Sequence, residues 1–557
     1  MSTTAIPTPS TRAETPASTQ PTDWWRSAVI YQIYPRSFAD GNGDGIGDFL
    51  GMIDKLEYLS TLGVDAVWVS PFYVSPQRDA GYDVANYTEV DPRFGELADF
   101  DRFLARAHEL GIRVIIDLVP NHSSDQHEWF QAALAAGPGS PERERFMFRP
   151  GAGPHQELPP NNWKSVFGGG AWEPVGDGDW YLHIFDSSQP DWNWENPEVR
   201  DYFDEVLRFW LDRGVDGFRV DVAHALIKAA GLPDNTIERD IATAGGDKGP
   251  MWDQDRVHEI YQHWREVLDS YTDSPRIMCA EAWVSPAERM ARYVRPDEMH
   301  QSFNFPFMLA GWQPERVREI IDESLSANNA VGATTTWVLS NHDVVRHASR
   351  LGLEPGSWPA GISADQPQPD AALGLARARA LTLFSLALPG SMYLYQGEEL
   401  GLPEHTTLSD EWRQDPSFHR TGGTETGRDG CRIPLPWDAS LPANGFNTSG
   451  ELWLPQPESY AALAAATQLN DPGSTWSFYH EALQLRHELG LGTLPLSWHS
   501  GENLAVLDAS VGPVRVLINM GDSPAVLPEG EVLLGSDEAA VVANALQPNR
   551  AVWLRVE

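Results

Sequence analysis

Residues 97–122 read LADFDRFLARAHELGIRVIIDLVPNH, and two periodicities meet inside them. Leu97, Phe100, Phe103, Leu104, Ala107 and Leu110 recur at three- and four-residue spacing, which predicts an amphipathic helix. Residues 112–119 then form a β-branched, almost continuous apolar run, the pattern of a parallel strand buried on both faces. The run closes on Asp117, Asn121 and His122, so polar chemistry sits where the strand ends.

Working outward, the same unit recurs. Strand-like runs occupy 29–34 (VIYQIY), 64–70 (VDAVWVS), 112–119 (IRVIIDLV), 215–222 (VDGFRVDV), 276–283 (RIMCAEAW), 300–307 (HQSFNFPF), 334–340 (TTTWVLS) and 392–396 (MYLYQ). Helical spacing fills intervals such as 52–62, 197–213 and 371–388. Strands alternating with helices in this number predict an α/β protein, a (β/α)8 TIM barrel. An open doubly wound sheet is the competing topology, but its Gly-rich phosphate turn is absent from the sequence. The barrel is assigned to 23–120 and 197–494. Residues 121–196, rich in Gly, Pro, Trp and Asp, are too long for a structureless loop and predict an inserted subdomain after strand 3. From 495 to 557 the period changes to two, as in NLAVLDA and VRVLINM, which predicts a C-terminal antiparallel β-sandwich. Residues 1–22 lack the apolar core of a secretory signal and read as a disordered tail on a cytoplasmic protein.

Composition narrows the partners. The 557 residues carry 40 Lys+Arg against 79 Asp+Glu, a net charge of −39. Such a surface repels phosphate backbones and anionic lipid, so nucleic acid and membranes are poor expectations, and a neutral or cationic ligand fits better. The acidic excess also suits a hydrated, salt-adapted surface. Cys279 and Cys431 are the only cysteines, too few for a disulfide framework or a thiolate zinc site, although one bridge stays open.

In a barrel of this kind the chemistry gathers at the carboxyl ends of the strands. Those ends carry Asp117, Asn121 and His122, then Arg219 and Asp221, then Glu281, then His342 and Asp343. A single acid there is usually a cap or a solvated charge. Acids from several strand ends resist sharing one mouth unless one is protonated or cations lie nearby, so the set points to acid/base work or a metal site. Arg219 precedes Asp221 by two residues, shares its side of the strand and is expected to keep that acid ionised. Separately, Asp40-Gly-Asn42-Gly-Asp44-Gly-Ile46-Gly-Asp48 places oxygen side chains at alternate positions, which is calcium-loop chemistry. It is not an EF-hand, because Gly51 stands where a bidentate Glu is needed, and an Asx-turn loop without metal is the alternative.

The segments DLVPNH, GFRVDVAH, AEAW and SNHD, in this order and spacing, resemble the motifs of the α-amylase superfamily, glycoside hydrolase family 13. QIYPRSFADGNGDGIGD, DAGYDVANY, VFGGGAWE, QPDWNWENPEVR and GRDGCRIPLPW resemble its α-glucosidase and oligo-1,6-glucosidase branch, from about Trp24 to the C-terminus. The resemblance implies Asp221 as nucleophile, Glu281 as general acid/base and Asp343 as the acid that binds ring hydroxyls. It implies that Asp79, Tyr82, His122, Arg219, His342 and Arg428 hold the non-reducing glucose. It also implies a structural divalent cation, Ca2+ or Mg2+, on Asp40, Asn42, Asp44, the Ile46 carbonyl and Asp48. Among the abundant aromatics, Phe167 and Phe185 join Tyr82 as candidate pocket walls.

A retaining exo-α-glucosidase acting on short oligosaccharides or aryl α-glucosides follows, as a monomer or homodimer without organic cofactor. Glu281, flanked by Ala280 and Ala282 and near Trp283, suits the acid if its pocket is apolar enough. Val222, next to the nucleophile, accompanies α-1,6 preference in that branch, while Ala223-His224 departs from its usual run. Sucrose isomerase or trehalose synthase-like transfer, a polymer-degrading α-amylase and a non-catalytic scaffold member are the rival readings.

Overall fold

A computed structural model describes residues 23–237, 249–354, 356, 359–500 and 503–556. The expected tail, 1–22, lies outside these residues.

Eight parallel strands form one sheet: β1 Val29–Ile33, β2 Ala66–Val69, β3 Arg113–Leu118, β4 Gly217–Val220, β5 Ile277–Ala280, β6 Gln301–Ser302, β7 Thr336–Val338 and β8 Ser391–Tyr395. Their spatial order is β6-β5-β4-β3-β2-β1-β8-β7, and a parallel bridge from Phe303 to Thr336 joins the two ends, so the sheet curls into a nearly closed barrel. Nearly every strand residue is buried, as the continuous apolar runs require. β6 is much shorter than the run at 300–307. The Asn304 side chain accepts from the Phe307 N–H at 3.0 Å and starts a helical turn at Phe305–Met308, in which Pro306 occupies an early position where its missing N–H costs nothing.

Helices α1 Phe49–Leu62, α2 Leu97–Glu109, α3 Pro197–Asp212, α4 Val257–Asp269, α5 Pro314–Ala330, α6 Ala371–Ala387 and α7 Thr475–Glu488 occupy the intervals where apolar residues recur at helical spacing. Their starts are capped by local side chains. Asp48, Asn196, Asp370 and Ser474 each accept a backbone N–H of the first turn, and Glu96 with Asp99 makes a reciprocal capping box. α1 stops at Gly63, whose φ of 100° only glycine adopts cheaply, with its N–H on the Leu59 carbonyl.

The segment after β3 builds a helix, Glu128–Ala136, and a three-stranded antiparallel sheet from Phe148–Pro150, Trp172–Pro174 and Asp179–Leu182. Trp192 anchors it, stacked on Phe146 with ring centroids 4.2 Å apart. Beyond α7 come two antiparallel sheets. The larger has five strands, with Val506–Val511, Val514–Asn519 and Arg550–Arg555 paired in its middle; the smaller has three short ones. Leu517, Val552 and Leu554 of the first pack with Leu527 and Leu546 of the second. Both cysteines are buried free thiols. No helix among the described residues is long and apolar enough to cross a membrane.

Candidate active site

Strand register decides which side chains meet. Asp117 of β3 lies level with Arg219 of β4, and Arg219 with Cys279 of β5, so Arg219 stands between two strands at the barrel mouth. Its guanidinium donates to Asp117 Oδ1 at 2.8 Å, Asp221 Oδ1 at 2.7 Å and Glu281 Oε2 at 2.5 Å. Asp117 also receives the Tyr82 hydroxyl at 3.0 Å and the Trp68 indole N–H at 3.1 Å. Asp221 leaves the end of β4 as a turn rather than a strand continuation. The next residue, Val222, has φ 43°, an unfavourable conformation for a β-branched side chain, and its N–H donates to Glu281 Oε2 at 3.1 Å.

One guanidinium faces three carboxyl groups, so their mutual repulsion favours proton retention within the cluster. Burial raises the Asp117 carboxyl to about 6 against the opposing pull of Arg219. Burial likewise pushes Asp221 well above the ordinary carboxyl value; Arg219 opposes this, and Glu281 and Asp117 reinforce it. The contact expected between Arg219 and Asp221 is present, but desolvation outweighs the cation's effect. Around Glu281 the structure differs from the apolar pocket expected from the flanking alanines. N–H donors face both its oxygens, Arg219 and Val222 on Oε2 and the Trp283 indole on Oε1 at 3.3 Å.

A second arginine organises the other wall. Arg428 donates to Asp343 Oδ1 at 2.8 Å, Asp79 Oδ1 at 2.9 Å and Asp415 Oδ2 at 2.6 Å. Arg432 adds a bond to Asp343 Oδ1 at 3.0 Å. Burial alone would raise Asp343, yet the surrounding positive groups, Arg428 and Arg432 among them, hold it well below the usual carboxyl range. Asp79 goes the other way: burial pushes it up to about 6 although Arg428 pairs with it. His342 is neutral because burial lowers it well below its ordinary value. The Gln32 amide donates to its Nδ1 at 2.7 Å, which leaves Nε2–H facing Asp343 Oδ2 at 3.2 Å. Burial also lowers His122, to about 3. Tyr82 stacks on His342, with centroids 5.2 Å apart and planes 4° from parallel.

These residues enclose a cavity of about 310 Å³. Asp221, Glu281, Asp343, Asp79, Tyr82, His122, Phe167, Phe185, Val222, His342 and Arg428 all line it, while Arg219 is buried behind them, bonded to Asp221 and Glu281. Every residue expected at the sugar site is therefore brought to one place. Asp415, Arg432 and Gln189 were not anticipated. Gln189 donates to Asp79 Oδ2 at 3.1 Å. All three lie in irregular segments, where no period marks a residue, although Arg432 closes the GRDGCR segment whose first arginine was expected. Trp252, Trp283 and His224 also line it, His224 stacked on Trp252 at 5.0 Å.

The loop at residues 40–48 lies apart from this cavity. Its oxygens take backbone donors: Gly43 and Gly45 N–H on Asp40, Asp44 N–H on Asn42, Ile46 N–H on Asp44, and Gly41, Asn42 and Gly51 N–H on Asp48. Among the described residues no group of three or more His, Cys, Asp or Glu side chains is gathered to hold a metal ion. The donor types suit a hard cation: Asp40 Oδ1, Asn42 Oδ1, Asp44 Oδ1 and Asp48 Oδ2 each accept one bond and keep a lone pair, whereas Asp40 Oδ2, which also takes the Asn447 amide, and Asp48 Oδ1 each accept two.

Comparison with known proteins agrees with this geometry. The family model of the α-amylase catalytic domain matches residues 32–491. A probable α-glucosidase of Rhizobium meliloti is 39% identical over 527 residues, covering 90% of each chain. An oligo-1,6-glucosidase of Parageobacillus thermoglucosidasius is 36% identical over 502 residues, 84% of each. Among solved structures, the α-glucosyl transfer enzyme XgtA has a TM-score of 0.82 at 35% identity, covering 96% of this chain and 100% of its own. The trehalulose synthase MutB of Pseudomonas mesoacidophila has a TM-score of 0.82 at 32% identity, covering 96% and 99%. With a barrel mouth of this chemistry and likeness along most of its length, the chain belongs to the α-amylase family of glycoside hydrolases, among homologues named α-glucosidase and oligo-1,6-glucosidase.

Proposed function

We propose that the protein is a retaining, exo-acting α-glucosidase that releases glucose from the non-reducing end of short α-glucosides. The observation that carries the reading is Arg219, whose adjacent nitrogens hold Asp221 and Glu281 in one cavity. Two carboxyl groups on one guanidinium suit the separation of about 5 Å that retention needs, not the roughly 6.5–9.5 Å that leaves room for water in inversion. Asp221, which must first give up the proton that burial favours on it, attacks C1 of the glucosyl unit as Glu281, then carrying that proton, passes it to the departing glycosidic oxygen. Glu281 then takes a proton from water as that water displaces Asp221 from C1. Asp343, ionised beside Arg428 and Arg432, receives ring hydroxyls together with His342 and Asp79.

A cavity of about 310 Å³ is at the small end for ligand sites and suits one or two sugar rings rather than a polymer chain. Val222 at the mouth favours α-1,6 linkages, and a relative named oligo-1,6-glucosidase is consistent with that. Glucose release from isomaltose, maltose, kojibiose, nigerose, sucrose and trehalose tests the proposal. Isomaltose should lead, and no release from any of them would reject it. Transfer of glucose to a second sugar is the other reading, supported by the likeness to XgtA and by a MutB mutant solved with the substrate sucrose. Products at high sugar concentration separate the two.

The loop at residues 40–48 is proposed to bind a divalent cation, Ca2+ or Mg2+, in a structural role. Its alternating oxygens support this. Chelation should lower the melting temperature and the bound-metal content; no change in either would reject the site.

A further inference from the structure

The cavity is walled by two segments far apart in sequence, and one contact between them, made by Arg420, involves residues not so far given a role. One is the inserted segment after β3, which contributes Phe167 and Phe185. The other is the chain after β8, which contributes Ser417, Gly427 and Arg428. Phe167 packs between Phe185, centroids 5.7 Å apart, and the Arg428 guanidinium, 5.2 Å from its ring. Phe185 in turn lies against His122 at 5.1 Å. The two rings therefore rest on groups that face the glucose.

Arg420 fastens this wall from outside. It ends the short helix Pro416–Arg420 and donates from Nε at 3.2 Å and a terminal nitrogen at 2.8 Å to the Gly168 carbonyl. Its other terminal nitrogen donates to Asp186 Oδ2 at 3.1 Å. One guanidinium thus clasps the residue after Phe167 and the residue after Phe185. The close approach depends on glycine: Gly168 and Gly169 have φ of 95° and 82°, and a Cβ on Gly169 would lie 3.3 Å from the Arg420 guanidinium. The helix is tied to the sugar site at its other end. Asp415 accepts the Ser417 N–H on Oδ1 at 2.8 Å and the Arg428 Nε on Oδ2 at 2.6 Å. A continuous chain of contacts runs from the group that grips Asp79 and Asp343 to the wall that covers them.

We infer that Arg420 is a positioning residue, a latch that holds the Phe167–Phe185 wall over the sugar pocket and so sets how tightly glucose is held; the inference rests on the α-glucosidase reading. Arg420 and Asp186 side chains are 23% and 17% exposed, so the pair is partly shielded and its geometry, two bonds to a carbonyl and one to a carboxylate, is one lysine cannot reproduce. The full chain, carrying Arg420→Ala, Arg420→Lys or Asp186→Asn, is assayed with p-nitrophenyl α-glucoside, and each variant's melting temperature is measured. Asp186→Asn keeps the oxygen that accepts Ser188 N–H and the Ser188 hydroxyl, so it removes the ion pair with little change to the loop.

Arg420→Ala is expected to raise KM about fivefold with kcat changed less than about twofold, Arg420→Lys to fall between it and the wild type, and Asp186→Asn to raise KM in the same sense. The double variant should be less than additive, because both changes break one clasp. Unchanged KM in both Arg420→Ala and Asp186→Asn overturns the latch, as does a joint loss of kcat and melting temperature, which would mark a structural role alone. A wild-type protein without α-glucosidase activity defeats the functional reading and takes the latch with it, whereas an active wild type with unaffected variants defeats the latch alone.

Discussion

At the scale of single residues the site is a balance between burial and arginine. Asp343 and Asp79 share Arg428, yet Asp343 lies well below the usual carboxyl value and Asp79 rises to about 6, because burial dominates at Asp79 and surrounding cations at Asp343. A carboxyl raised by folding keeps a proton that the unfolded chain releases, so Asp79 removes stability as pH climbs from about 4 to about 6. Asp79→Asn keeps only one of the two oxygens that accept Arg428 and Gln189, and loses that dependence. Its stability relative to wild type should improve between pH 4 and pH 7, by no more than about 3 kcal/mol, while its KM for glucosides rises. Denaturant unfolding at the two pH values checks this; a relative stability that falls with pH would contradict it. Much of this was legible in the sequence, since acids and histidines at successive strand ends cannot sit together idly. The direction of each carboxyl shift was not. Arg219 near Asp221 suggested an ionised acid, whereas the shift follows from how completely Asp221 is enclosed and from Asp117 and Glu281 sharing its cation.

Among elements, period and turn chemistry carried the reading furthest where they agreed. The helix at residues 97–109 and the strand at 113–118 follow from spacing alone. Strand β6 did not, because Asn304 and Pro306 convert most of an aromatic run into a helical turn. The irregular chain after β8 hid Asp415, Arg420 and Arg432, since it repeats nothing. The first βα connection links the proposed cation loop to α1 through Asp48, which caps the helix at Gly51 N–H, 2.7 Å away, and also receives Gly41 and Asn42. Asp48→Ala is expected to cost about 1–2 kcal/mol in unfolding free energy. A change below a few tenths would show that the cap and loop are not coupled to the folded state.

For the whole molecule, the C-terminal sheet acts as a brace on the barrel. Trp553 in the strand Arg550–Arg555 is fully buried, and its indole N–H donates to the Leu383 carbonyl of α6 at 3.0 Å. Trp553→Ala removes a large core side chain and should cost about 3–5 kcal/mol with the sugar site intact. A loss under about 1 kcal/mol would mean the sheet is not packed as described. On the proposed function, the barrel, the sheet and the inserted segment serve to hold one carboxylate and one carboxylic acid either side of a glycosidic bond. That claim has a direct measurement. Incubation with a 5-fluoro-α-glucosyl fluoride, whose covalent adduct turns over slowly, followed by peptide mass spectrometry should find the sugar attached to the peptide at Asp221, and no label in Asp221→Asn. A label on another residue, or steady turnover by Asp221→Asn, would contradict the account.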